Sequence, residues 1–187
     1  MRSLELLAAL TLLGTSSVLA QSPTFGLGRA PSAEEVRAWD ISVGPTGAEL
    51  PPGRGTVAEG ALIYRRSCAR CHGADGTEGR APRLAPRQAR PGEDPWALGR
   101  ILPIRSPYAT TVWDYINRGM PLNREGTLTA DEVYALSALL LYWSDVIEED
   151  DVMDQRSLPL VVMPNRDNWA PLPDWQPGAP RLPGYPY

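Results

Sequence analysis

The chain has 187 residues, a hydrophobic share of 43% and a formal net charge of −4, and every one of its basic residues is arginine. That length and apolar content suit one ordinary core, or a small domain with long arms, and the mild acidity speaks against nucleic acid as a partner. Two cysteines only three positions apart speak against a disulfide-built scaffold.

Taken in chain order, residues 1–20 have the form of an export signal. Arg2 precedes an apolar stretch from Leu6 to Leu13, and small residues lead to Val18-Leu19-Ala20, with cleavage expected before Gln21. The apolar run is too short to span a bilayer, and no later segment is long and apolar enough to do so, so no transmembrane segment is expected in the mature chain. Residues 21–55 are rich in Gly and Pro and read as an N-terminal arm, with one short helix expected over Ala33–Trp39 behind a Ser32 cap.

A domain is expected over residues 56–149. Thr56 and Glu59 have the spacing of a capping box, which predicts a helix from Val57 to Ser67 with Val57, Ala61, Leu62 and Tyr64 as its apolar side. From Gly73 to Ser106 no period is sustained and prolines recur, so a wrapping loop is expected. Val112, Tyr115 and Ile116, with Trp113 beside them, predict a second helix from Tyr108 to Arg118, ended by Gly119 and Pro121. A second capping box, Thr129 with Glu132, opens a third helix expected over Ala130–Ser144, with Val133, Leu136, Leu140 and Trp143 on one face. An acidic run follows, and residues 150–187 read as a Pro-rich tail without periodicity.

The chemistry lies in Cys68-Ala69-Arg70-Cys71-His72, at the end of the first long helix. Two thiols one helical turn apart suit the two thioether links of a single haem c, and the adjacent His suits its iron. A structural zinc site needs four ligands, and the chain offers three Cys and His in all. A thioredoxin-like pair would want a βαβ frame, for which there is no pattern. With His72 the sole histidine, the sixth iron position falls to a Met, to a less common ligand or to an open site. Met120 is the leading candidate, because it follows a helix stop and Pro121 stiffens the backbone that presents it; Met153 and Met163 compete from the tail. Pro82 is placed to accept a hydrogen bond from the His72 ring through its carbonyl, and Leu84 to pack on the haem.

On these residues the stretch 57–145 resembles a single-haem class I cytochrome c domain, which implies an all-α fold of three main helices around a covalent haem, here with extended N- and C-terminal arms. Ala38-Trp39-Asp40-Ile41, Pro107 to Ile116 continuing to Met120-Pro121, and Met163-Pro164-Asn165-Arg166-Asp167-Asn168 narrow the resemblance to the cytochrome subunit of sulfite and sulfane dehydrogenases. That resemblance implies a periplasmic chain that takes electrons from a partner subunit carrying molybdenum cofactor and passes them to a downstream cytochrome or oxidase, with Cys68, Cys71, His72 and Met120 as the haem residues. The chain itself would be no enzyme. Asp94 to Ile104 departs from the family pattern, and the end after Trp169 is unusually long in Pro. Two other functions use the same motif: a diffusible carrier between respiratory complexes, and a haem enzyme or gas sensor with an open sixth position.

Overall fold

The computed structural model describes residues 26–88, 91–92 and 100–168. The expected export signal, most of the segment 89–99, and the tail beyond 168 with Trp169, Trp175, Tyr185 and Tyr187 lie outside the described residues. The chain divides into two compact units, one up to Asp40 and one from Ile41 on. In the first, helix α1 spans Ala33–Trp39 and opens with a capping box, in which the Glu35 N–H donates to Ser32 Oγ at 3.2 Å and the Ser32 N–H to Glu35 Oε2 at 2.7 Å. Arg29 adds an ion pair to Glu35.

The second unit begins with a short strand β1, Arg54–Thr56, followed directly by α2, Val57–Ser67, and the single turn α3, Ala69–His72. After a loop come α4, Leu102–Arg105, then α5, Ala109–Gly119, and α6, Ala130–Tyr142; strand β2, Val152–Asp154, and a 3-10 turn at Leu158–Leu160 complete the described elements. The three long helices stand where their caps and apolar periods predict. Their boundaries agree to within two residues, Trp143 serving as the C-cap of α6.

Helix α6 is central. It is buried continuously from Val133 to Leu141, so it is apolar on every side, as a helix must be when other elements cover it all round. It packs against α2, α5, β1 and β2. The contact with β1 and α2 is close because two glycines face it. A side chain at Gly55 would stand 2.1 Å from the Ala135 nitrogen, and one at Gly60 the same distance from its carbonyl oxygen. Both capping boxes are formed: Thr56 Oγ1 accepts from the Glu59 N–H and Thr129 Oγ1 from the Glu132 N–H, each at 3.3 Å. Arg66 on α2 pairs with Glu132 at the start of α6.

Two features go beyond the expectation. Residues 102–105 form a helical turn inside the predicted loop, with Pro103 in its first turn, where a missing N–H costs nothing. Residues 150–168 are also no bare tail. β2 pairs antiparallel with β1 in the register Arg54 with Asp154, Gly55 with Met153 and Thr56 with Val152. Met153, Leu158 and Met163 are buried in the main core beside Trp113, Tyr134 and Leu139. Beyond them, Asn165 Nδ2 donates to the Arg105 carbonyl at 2.7 Å, and the Arg166 guanidinium lies over the Tyr108 ring at 4.6 Å. The end of the described chain is thereby clamped to the entry of α5.

Candidate functional site

The capping box at Thr56 fixes where α2 begins, and eleven residues of helix carry the chain to Cys68, where α2 ends and the turn α3 starts. The Cys71 and His72 N–H groups both donate to the Cys68 carbonyl at 3.0 Å, so the three motif residues share one turn. Gly73 stops that turn with a φ of +87°, and a Cβ there would fall 1.9 Å from the Glu78 carbonyl oxygen. Only glycine suits this position.

The loop that follows is pulled back onto the turn. Ala81 N–H donates to the Cys71 carbonyl at 2.9 Å, and Leu84 and Ala85 N–H both donate to the Gly76 carbonyl at 2.8 and 3.1 Å. Tyr64, buried on α2, donates its hydroxyl to the Gly73 carbonyl at 2.9 Å, and its ring meets Trp143 edge-on at 4.8 Å. Burial pushes the Tyr64 phenol well above its ordinary range, so it stays a donor at any physiological pH.

This fold-back delivers the Pro82 carbonyl to His72. Nδ1 and the carbonyl oxygen are 2.7 Å apart. A carbonyl can only accept, so Nδ1 carries the proton and the lone pair is left on Nε2, the arrangement a metal-binding imidazole requires. His72 is itself buried. No disulfide joins Cys68 and Cys71, and both are half-buried. Burial, with a smaller contribution from Cys71, pushes the Cys68 thiol up to about 11, so it is protonated at neutral pH. Arg80 lies at the other cysteine, its Nη2 3.3 Å from Cys71 Sγ.

Leu84 is half-buried against the main core, as are Cys68 and Met120, so these three border one apolar cluster. Pro82 is exposed, and its contribution visible here is its carbonyl. Met120 is the residue on which α5 ends; its N–H donates to the Ile116 carbonyl at 3.0 Å, and the Met120–Pro121 peptide is cis. Met153 and Met163 are buried members of the core, the first on β2 opposite Gly55.

Several contributors escape sequence reasoning. The Tyr64 hydroxyl, Gly76 and Trp143 hold the loop, yet in the sequence they read as ordinary core and turn residues. Asp114, buried on α5, accepts from the Val43 N–H at 2.9 Å and from Arg118 Nε at 2.9 Å, tying the segment after Asp40 to the helix that ends in Met120. Its only local signal is Arg118 four residues on.

The donor set fits haem c: two thiols on one turn, an imidazole with one nitrogen committed and one available, and a thioether at a helix end beside the same apolar cluster. A helix running into such a turn, and a second and third helix flanking a Met-Pro, define a class I cytochrome c, and the chain belongs to the cytochrome c family. The family model of cytochrome c oxidase, cbb3-type, subunit III matches residues 55–140. The chain is also similar to a chain in the crystal structure of the sulfane dehydrogenase SoxCD from Paracoccus pantotrophus, with 33% identity, a TM-score of 0.64, and coverage of 87% of this chain and 82% of that one. No curated protein matches it. The activity of this family is electron transfer, and that is the activity of this chain's cytochrome c domain.

Proposed function

We propose that the chain carries one haem c, bound covalently through Cys68 and Cys71 with His72 and Met120 on the iron, and accepts single electrons in the periplasm from a molybdenum-cofactor subunit that oxidises sulfite or sulfane sulfur. The observation that carries the reading is the 33% identity to the SoxCD chain over more than four fifths of both chains. When bound, haem c supplies a one-electron couple. His72 offers Nε2 because Pro82 holds its other nitrogen, Met120 offers a thioether that favours a high potential, and Leu84 packs on the haem and keeps water from it. The electrons then pass to a downstream cytochrome or oxidase.

Copurification tests this directly. Tagged protein from its host should bring down a molybdenum protein, and sulfite added to the complex should reduce the haem. A haem that stays oxidised, in a preparation free of molybdenum, sinks the reading. The match to an oxidase subunit model favours a second one, a diffusible carrier that feeds a terminal oxidase. Ending the chain after Asn168 separates the two: a carrier keeps its exchange rates without the remaining tail, whereas a subunit that docks through it loses its partner.

A further inference from the structure

From Arg65 to Arg83 the chain carries five arginines and two carboxylates, in a protein whose net charge is −4. The haem-binding turn is thus a cationic stretch of an otherwise acidic molecule. Arg66 is spent on Glu132. Arg70 and Arg80 are exposed, and both stand at Cys71. Arg70 immediately precedes it within α3. The fold-back that carries Arg80 lies directly on it: Ala81 N–H donates to the Cys71 carbonyl, and a Cβ at Gly79 would fall 2.3 Å from that same oxygen. Arg80 Nη2 is 3.3 Å from Cys71 Sγ, a sulfur that remains a weak acceptor once it is a thioether. The Asp75 carboxylate, in the same loop, is turned to Thr77, accepting from its N–H at 3.0 Å and its hydroxyl at 2.7 Å.

A thioether sulfur joins the rim of the haem to the chain, so two guanidiniums at Cys71 stand at the haem edge. Resting on the haem reading given above, we infer that this edge is where an electron leaves for the downstream acceptor. Arg70 and Arg80 dock there an acceptor protein whose own site is bordered by carboxylates. The step passes one electron from ferrous haem to a one-electron acceptor, with no bond made or broken and no proton moved. Residues 65–83 include no Val, Ile, Leu, Met, Phe, Tyr or Trp. Charge without an apolar centre steers a partner in and releases it, which suits a transient acceptor; a permanent subunit interface is built around buried apolar side chains.

The test mixes the reduced, haem-loaded full chain with an anionic oxidant, ferricyanide, or a cationic one, tris(phenanthroline)cobalt(III). Added salt should slow the reaction with ferricyanide, the reverse of what a net charge of −4 alone dictates, and speed that with the cobalt complex. Arg70→Gln and Arg80→Gln combined should slow ferricyanide about tenfold at low ionic strength and quicken the cobalt complex. A merely structural disturbance would change both oxidants alike. Redox-inert hexacyanochromate(III), a paramagnetic anion, should broaden the amide NMR signals around Cys71 in the wild type and not in the double variant. Arg70→Gln decides alone, in the same directions, should Arg80→Gln fail to load haem. Salt that speeds the ferricyanide reaction, rates that the variants leave unchanged, or broadening centred elsewhere overturns this inference and leaves the haem reading standing. A wild-type chain that takes up no haem overturns the haem reading and this inference with it.

Discussion

A carbonyl ten residues downstream determines which nitrogen of His72 is available, and the rest of the site is arranged to keep that carbonyl in place. Tyr64 is the side chain most directly responsible, since it joins α2 to Gly73 at the start of the loop. Tyr64→Phe keeps the ring against Trp143 and deletes one hydrogen bond, so denaturant unfolding should show a loss of about 1 kcal/mol. Met120→Ala tests the proposed iron ligand instead. The long-wavelength thioether band should vanish and the midpoint potential fall, because Met ligation raises it; a band that survives assigns the sixth position to another group. The motif and the His72–Pro82 contact were legible because they are local, a turn and a short loop. The role of Tyr64 was not, because an apolar helix face gives no sign of what a buried hydroxyl reaches.

The helices owe their starts to two capping boxes, and this makes part of the stability dependent on acid. The Thr56 side chain is the main cause holding the Glu59 carboxyl below its ordinary range, and the Thr129 backbone N–H does the same for Glu132. A carboxylate with a depressed folded pKa contributes fully above the ordinary value of about 4.3 and loses its contribution as pH falls through the folded value. Glu132→Gln should therefore melt below wild type at pH 7, with the gap closing as pH falls below about 4. Thr129→Ala should cost about 1 kcal/mol at neutral pH. At the crossing of α6 over β1 and α2 the constraint is steric. Gly60→Ala would set a methyl 2.1 Å from the Ala135 carbonyl oxygen, and thermal unfolding should register a loss of about 2–3 kcal/mol. Helix positions were readable because caps and periods are written within a few residues. The pairing of β1 with β2 joins Arg54 to Asp154, and three-residue strands so far apart leave no local pattern.

At the scale of the molecule, the segment after Tyr142 completes the core instead of trailing from it. Met153, Leu158 and Met163 are each almost wholly buried. At about 1.5–3 kcal/mol for each side chain, their burial is comparable with the whole net stability of a small domain. A chain ending at 149 should lack the cooperative melting transition that one ending at 168 gives; circular dichroism distinguishes them. In the sequence this region reads together with the Pro-dense end that follows it, and the apolar residues that anchor it are spaced for neither helix nor strand.

The clamp of Asn165 and Arg166 onto Arg105 and Tyr108 joins two stretches that stand some sixty residues apart in the sequence. Because Arg105 accepts through its backbone, the clamp depends on the side chains of Tyr108, Asn165 and Arg166. A Tyr just before the Met-bearing helix and an Asn-Arg pair beyond the third helix therefore form a paired signature. Searching genomes for that pair alongside Cys-x-x-Cys-His would select chains closed in this way from the many that share only the haem turn.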